Sequence, residues 1–275
     1  MDIELFDTHL HCDYFKNKDI SIKTLINEFA GEVKYFNFIG ANYDESLYYY
    51  NNIREFENCW MSVGMHPDCS CLDTKLDDYV NKSNELILLD NYSRVVSVGE
   101  IGLDYSYDYV DRKSQICTME RFLELGIKHR LPIVLHCRDK QGYDKAYSDC
   151  YSIVKSFFNV GKFNFVLHCY TGNEYWIREF LELDAYFGFT GIITFKKSRE
   201  MFKKMINIIP IDRILIETDA PFLAPEPYRG KKNVPKYLIE ILKAVSIARN
   251  IHLESCANIT TKNAFTFYNI DMNRG

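Results

Sequence analysis

Short β-rich runs recur along this chain with longer amphipathic stretches between them, and this alternation narrows the possible folds more than any other feature. The runs cover residues 5–11, 36–41, 59–64, 94–99, 132–136, 163–168, 185–191 and 213–217. Helical patterns fall at 44–57, 111–129, 174–183 and 198–208, with a helical tail over 236–250 and 255–267. Strands alternating with helices of this length imply parallel βαβ units. Eight such units close naturally into a (β/α)8 barrel, an α/β fold of the TIM-barrel type, whereas an open doubly wound sheet usually has fewer strands. No Gly-x-Gly-x-x-Gly follows the first run, which weighs further against a dinucleotide-binding fold. At 275 residues, 47% of them hydrophobic, the chain suits one barrel with a large core. No Gly-, Pro- or Ser-rich linker divides it, so a single domain over 1–275 is expected.

The first seven residues include Asp2, Glu4 and Asp7, and no basic flank leads into an apolar run, which argues against a secretory signal. No apolar stretch approaches the roughly 20 residues of a membrane helix. Nine cysteines form no Cys-x-x-Cys pair, and an odd number cannot all close into disulfides. Reduced thiols in a cytosol are the simplest account. A soluble, cytoplasmic protein without a membrane partner is expected, and no obligate protein partner is evident. The formal net charge of −5 weighs mildly against nucleic acid as a partner. Bound divalent cations would offset that locally. The 20 tyrosines and 19 phenylalanines read first as packing rather than as a base-stacking platform.

The polar residues fall at the ends of the apolar runs. The first run ends in Phe6-Asp7-Thr8-His9-Leu10-His11. The fourth leads into Gly99-Glu100-Ile101-Gly102-Leu103-Asp104. The fifth ends at His136, the sixth at His168, and the eighth passes through Glu217-Thr218-Asp219. In a (β/α)8 barrel the C-terminal ends of the strands converge on the face where active sites are built. Side chains alternate along a strand, so His9 and His11 point the same way. A lone His at a strand end is usually a satisfied polar residue. Five strand ends supplying His9, His11, Glu100, His136, His168 and Asp219 make coincidence a poor explanation. Six ligands exceed the need of one structural zinc ion and suit two cations sharing a carboxylate. The expected allocation is His9, His11 and Asp219 on one cation, His136 and His168 on the other, and Glu100 between them.

Several nearby residues fail that test. His129 and His252 lie near expected helix C-terminal ends, where an imidazolium favours the dipole, and receive no catalytic role. Cys12, Cys137 and Cys169 each follow a proposed ligand directly. Strand alternation turns them toward the helical layer as small buried apolar groups.

With these landmarks in order, the chain resembles the TatD family of metal-dependent deoxyribonucleases, within the metallo-dependent hydrolases. The resemblance runs from Phe6 to about Phe267. It rests on Asp7-Thr8-His9-Leu10-His11, Gly64-Met65-His66-Pro67, Gly99-Glu100-Ile101-Gly102-Leu103-Asp104 and Leu135-His136-Cys137-Arg138. It continues in His168-Cys169-Tyr170-Thr171-Gly172, Glu217-Thr218-Asp219-Ala220-Pro221-Phe222-Leu223 and Pro227-Tyr228-Arg229-Gly230-Lys231-Lys232-Asn233. It implies a metallohydrolase barrel, a divalent-metal pair, and nuclease activity on DNA, often from a 3′ end. It also supports Glu100 as the bridging carboxylate. Related amidohydrolases commonly bridge their metals with a carbamylated Lys, and no Lys stands among the ligand-bearing strand ends.

Under this reading Asp219 binds a metal and accepts the attacking water's proton. Glu217, two residues earlier, either orients Asp219 or water, or pairs with Arg213 or a nearby Lys. His66 is a candidate donor to a substrate phosphate, or a turn residue beside Pro67. Arg138 follows His136 by two and suits a phosphate clamp. Asp104 lies where a loop after Glu100 would break the alternation. Two basic segments, Lys196-Lys197-Ser198-Arg199 and Arg229-Gly230-Lys231-Lys232, follow the seventh and eighth strands. Arg229 and Lys231 are the firmer candidates for the DNA backbone, because the family motif covers them. His-rich ligation suits zinc or manganese, and phosphoryl chemistry often uses magnesium. The competing substrates are a small phosphoester, a cyclic amide or an aminoacyl-tRNA ester. A catalytically silent metal-binding protein would be expected to have lost ligands.

Overall fold

The structure of the chain, a computed structural model, describes residues 3–12, 21–72 and 74–272; Asp2 lies outside them. Eight parallel strands follow in chain order: β1 Leu5–Leu10, β2 Val33–Phe38, β3 Cys59–Val63, β4 Val95–Asp104, β5 Ile133–Arg138, β6 Phe165–Leu167, β7 Tyr186–Phe189 and β8 Ile214–Ile216. Helices alternate with them: α1 Ile22–Phe29, α2 Tyr43–Ile53, α3 Thr74–Leu89, α4 Arg112–His129, α5 Lys145–Phe158, α6 Glu174–Leu181 and α7 Arg199–Ile208. Two more, α8 Leu238–Arg249 and α9 Leu253–Phe267, follow β8.

All eight expected strands are present, with shifted ends. The second begins three residues earlier than expected, at Val33. The fourth continues to Asp104, because Gly99 and Gly102 adopt φ of +143° and +144° and carry the strand on through irregular pairing with β5. Strands buried on both faces read as nearly continuous apolar runs. β1 accordingly buries all six residues and β4 all ten, polar ones included.

The chain divides into two compact units. The first holds the described parts of 1–38, 55–59 and 187–275, and the second holds 39–54 and 60–186. In the first, β1 pairs with β2 and β7 with β8, and the bridge Leu10–Ala220 ties β1 to the segment after β8. Phe6 packs among Tyr35, Phe265 and Tyr268, with ring centroids 5.4–5.9 Å apart, so β1, β2 and α9 share one aromatic core. Each such buried ring contributes on the order of 2 kcal/mol. In the second unit β3, β4, β5 and β6 pair in sequence, and Phe165 meets Phe180 of α6 at 6.2 Å.

Side chains placed for the purpose start several helices. Asn42 accepts from Glu45 N at 2.9 Å at the start of α2, Asp111 from Ser114 N at 3.0 Å before α4, and Asn173 from Trp176 N at 3.2 Å before α6. These bonds satisfy donors that a helix leaves open at its N-terminus. His252 precedes α9 as its N-cap residue instead of closing α8. Asn250, at φ +52°, closes α8 in its place.

Candidate metal centre

The first unit gathers three of the expected ligands. His9 stands on β1, and His11 just beyond it is held by its backbone N–H to Ala220 O at 2.8 Å. Their Nε2 atoms lie 3.2 Å apart. Asp219 Oδ1 is 3.8 Å from His9 Nε2 and 3.6 Å from His11 Nε2. A point equidistant from three atoms so spaced lies about 2.1 Å from each, the length of a zinc–nitrogen or zinc–oxygen bond. The donors fit a divalent cation on this geometry as well as on their chemistry.

Asp219 reaches this position off the strand. β8 stops at Ile216, and Asp219 adopts φ +56°, a left-handed conformation that Asp tolerates better than most residues. Its backbone N–H bonds His9 O at 2.9 Å, which locks the turn onto β1. Strand alternation therefore does not place Glu217 beside Asp219. Glu217 is fully buried, with Oε2 3.5 Å from Thr8 Oγ1. Its carboxylate occupies space that only Gly188 leaves, since a Cβ there would sit 2.6 Å from Oε2.

Asp7 supports the same turn, and sequence reasoning gave it no separate role. It is wholly buried and accepts from Thr218 N at 2.9 Å and Thr218 Oγ1 at 2.5 Å. Burial pushes its carboxyl up to about 7, against the bonds from Thr218 and His9. Its signal was present in the Asp-Thr-His-Leu-His motif.

The second unit gathers the rest around Glu100. Glu100 Oε2 lies 3.2 Å from His136 Nδ1, 3.3 Å from His168 Nε2 and 4.0 Å from His66 Nε2. His66, Glu100 and His136 place one donor atom each within 4.8 Å of one another. His136 meets a second carboxylate on its far side, Asp104 Oδ2, at 3.0 Å from Nε2. A neutral imidazole has one N–H and one lone pair. With Nε2–H donated to Asp104, the Nδ1 lone pair faces the Glu100 oxygen, a repulsive contact unless a proton or a cation sits between them. Burial lowers the His136 pKa, and the bonds to both carboxylates outweigh that and raise it. Here too the donors fit a cation, with Asp104 setting the tautomer from behind.

Asp104 is fully buried, and its Oδ1 accepts from Ser106 N at 2.9 Å and Ser106 Oγ at 2.5 Å. It belongs to the cluster because β4 runs four residues past Glu100. Gly99 and Gly102 are what allow this, Gly102 lying so close to β5 that a Cβ would collide with His136 O. His66 caps a short turn at Pro67–Cys69, and its Nδ1 lies 2.6 Å from Asp68 Oδ1. A proton on Nδ1 would make that contact a donation to Asp68, and Nε2 lies on the side of Glu100. Burial raises the Asp68 pKa, and the partnership with His66 more than reverses it, holding the carboxyl below its ordinary value.

Arg138 is half-exposed, 3.8 Å from Asp104 Oδ2. In the first unit Arg229 and Lys231 are exposed. The Arg229 guanidinium lies 4.3 Å from the Phe195 ring centre, and Lys231 Nζ lies 5.8 Å from that of Tyr228. Lys196 and Lys197 are also exposed. Cys12 and Cys137 are buried, with the thiol of Cys150 of α5 beside that of Cys137. Cys169 is partly exposed at φ +44°, beyond the end of β6, where strand alternation does not govern it. All nine cysteines are free thiols, and no described helix is long and apolar enough to cross a membrane.

Known proteins resemble the chain along most of its length. The chain is 34% identical to an uncharacterized metal-dependent hydrolase of Buchnera aphidicola, across 97% of this chain and 99% of that protein. It is 28% identical to the 3′-5′ ssDNA/RNA exonuclease TatD of Salmonella typhimurium, across 88% and 90%. The crystal structure of a TatD homologue from Escherichia coli superimposes with a TM-score of 0.82 at 20% identity, covering 98% of this chain and all of that one. The fold is thus the (β/α)8 barrel of the metallo-dependent hydrolases. The family described as TatD related DNase matches residues 6–269, and the chain belongs to that family of metal-dependent hydrolases.

Proposed function

We propose that this hydrolase cleaves phosphodiester bonds of DNA, removing nucleotides from a 3′ end, at a pair of divalent cations. The observation that carries the reading is the gathering of nitrogen and oxygen donors, with His9–His11–Asp219 spaced for one cation and the Glu100 carboxylate 3.2 Å from His136 and 3.3 Å from His168. Both sets stand at C-terminal strand ends, where the active sites of (β/α)8 barrels are built, and a single domain over 1–275 is part of this reading. Bound cations would make water a competent nucleophile near neutral pH and offset charge on the phosphoryl oxygens. The name of the Salmonella relative supports nucleic acid as the polymer.

The chain's own groups then divide the work. Asp219 takes the proton of the attacking water. Glu217 and Asp7 hold the turn that carries Asp219. Asp104 keeps the His136 lone pair on Nδ1. His66, held by Asp68 at Nδ1, is the candidate donor to the substrate phosphate from Nε2, a role that needs a proton on each ring nitrogen. Arg138 clamps a non-bridging oxygen, while Arg229 and Lys231 hold phosphates further along. Zinc and manganese suit the histidine-rich donors best, and nine free thiols fit a reducing cytoplasm.

The test is end-labelled single- and double-stranded DNA, RNA, a small phosphodiester and dihydroorotate, each with zinc, manganese and magnesium. Products shortened stepwise from the 3′ end of DNA, abolished by chelator, are expected. Turnover of dihydroorotate or the small ester with no cleavage of DNA under any cation would replace this reading with the small-molecule one.

A further inference from the structure

The segments after β4 and β5 enclose an open pocket of about 440 Å³, a volume typical of small-molecule sites. Its walls include Tyr105, Tyr107, Arg112, Lys140, Tyr143 and Lys145. It lies beside the Glu100–His136 cluster, because the Tyr107 ring packs against His66 at 6.1 Å between centroids, edge to face. The same two strands thus supply ligand candidates at their ends and the pocket in the loops that follow.

The charges lining it are not equivalent. Asp111 is committed to Ser114 at the start of α4, and Asp139 accepts from Ala146 N at 2.5 Å at the start of α5. Asp108 pairs with Lys140 at 2.5 Å, and Lys145 with Asp149 at 2.6 Å. Arg112 has no ion-pair partner within 4 Å among the described residues. Its guanidinium carbon lies over Tyr105, 4.3 Å from the ring centre, and that ring is fixed by its hydroxyl donating to Asp149 at 2.9 Å. A guanidinium ordered over a ring without an ion-pair partner keeps N–H donors for an anion, and phosphate matches its fork. Tyr143 is 71% exposed, an aromatic face open to solvent on the same wall.

We infer that this pocket is a nucleotide subsite, taking the phosphate of one nucleotide unit at Arg112 and its base against Tyr107 and Tyr143. This rests on the nuclease reading for its purpose, since the unit would belong to the chain whose neighbouring phosphate is cleaved. It deepens that reading, because a base enters such a pocket only when unstacked from its partner strand. Single strands are therefore preferred over duplex. Base selection is weak, as stacking accepts every base.

The test separates the subsite from the chemistry. The full-length protein in excess chelator is titrated with 2′-deoxyadenosine 5′-monophosphate, adenosine and inorganic phosphate by calorimetry. The nucleotide is expected to bind at least about tenfold more tightly than either fragment, since it uses both contacts. Tyr143→Ala, at an exposed position, is expected to weaken nucleotide and adenosine about 5- to 100-fold and leave phosphate unchanged. Arg112→Gln is expected to weaken nucleotide and phosphate about tenfold or more and spare adenosine. Loss of helical circular dichroism in Arg112→Gln would pass that half of the test to Arg112→Lys, which keeps charge, loses the fork and should bind phosphate less well. Nucleotide affinity unchanged in Tyr143→Ala, or no nucleotide binding at millimolar concentration, overturns the subsite. If the nucleotide binds as described while DNA is never cleaved, the subsite stands and the nuclease reading falls.

Discussion

His136 is flanked by carboxylates on both ring nitrogens, 3.2 Å to Glu100 and 3.0 Å to Asp104, and the two have different work. Glu100 Oε2 also lies 3.3 Å from His168 Nε2, as suits the ligand proposed for it. Asp104 faces the nitrogen turned away from Glu100 and is tied to Ser106, so it orients. Removing the negative charge from Asp104 while keeping its shape should leave the strand intact and loosen the tautomer. Asp104→Asn is expected to lower cation affinity about 10- to 100-fold, as the loss of such an outer partner typically does. Calorimetric titration with zinc or manganese reads this directly, and unchanged affinity would mean that Asp104 is merely structural. Asp219 should respond differently. Asp219→Asn removes the group proposed to take the water proton, so turnover should fall on long DNA and on a dinucleotide alike, with little change in KM. Equal loss on both substrates in steady-state kinetics is the expected result, and a loss confined to long DNA would place Asp219 in substrate binding.

At the scale of elements, strands were easy to find in the sequence and their ends were not. An apolar run marks where a parallel strand is buried, and it says little about where hydrogen bonding stops. β8 is only Ile214–Ile216, and Asp219 lies beyond it in a left-handed turn that an apolar run does not foretell. β4 erred the other way, since glycine usually signals a break and here allows close approach to β5. Gly102 tests that account. Its φ of +144°, and a His136 O that crowds the place a methyl group would take, leave Ala no strain-free conformation. Gly102→Ala is expected to cost about 3 kcal/mol or more in chemical denaturation, near the upper range of single substitutions. A variant as stable as the parent would show that β4 and β5 separate without penalty. The caps were partly legible because Asp and Asn precede helical patterns. Bonds from Ser114 hold the Asp111 carboxyl below its ordinary value. A depressed carboxylate stabilises fully above the unfolded pKa of about 3.9 and loses that contribution as pH falls through the lower folded value. Asp111→Asn keeps an acceptor without the charge. Its melting temperature should therefore fall less steeply than the parent's between pH 5 and pH 3, and parallel curves would remove the charge from the account.

For the whole molecule the difficulty is charge. A chain of net charge −5 repels DNA at long range, so any binding must come from local concentrations of cations and from bound metal. The sequence showed these only as short basic segments, which are solvated faces more often than sites. The structure adds that Arg229 lies on Phe195 and Lys231 over Tyr228, so aromatic contacts partly order both side chains while leaving them exposed. A cation ordered in this way loses less freedom on meeting a phosphate than a fully mobile one. Each phosphate contact releases condensed counterions, so neutralising one cation should flatten the slope of log affinity against log salt by about 0.7 for a single strand. Arg229→Ala and Lys231→Ala are each expected to raise KM for long DNA and to flatten that slope, with turnover retained at saturation. A dinucleotide too short to reach them should be cleaved as by the parent. Steady-state kinetics on both substrates at two salt concentrations decides the matter. If Arg229→Ala slowed the dinucleotide as severely as long DNA, Arg229 would act on the reacting phosphate itself, and the basic segment would belong to the catalytic centre.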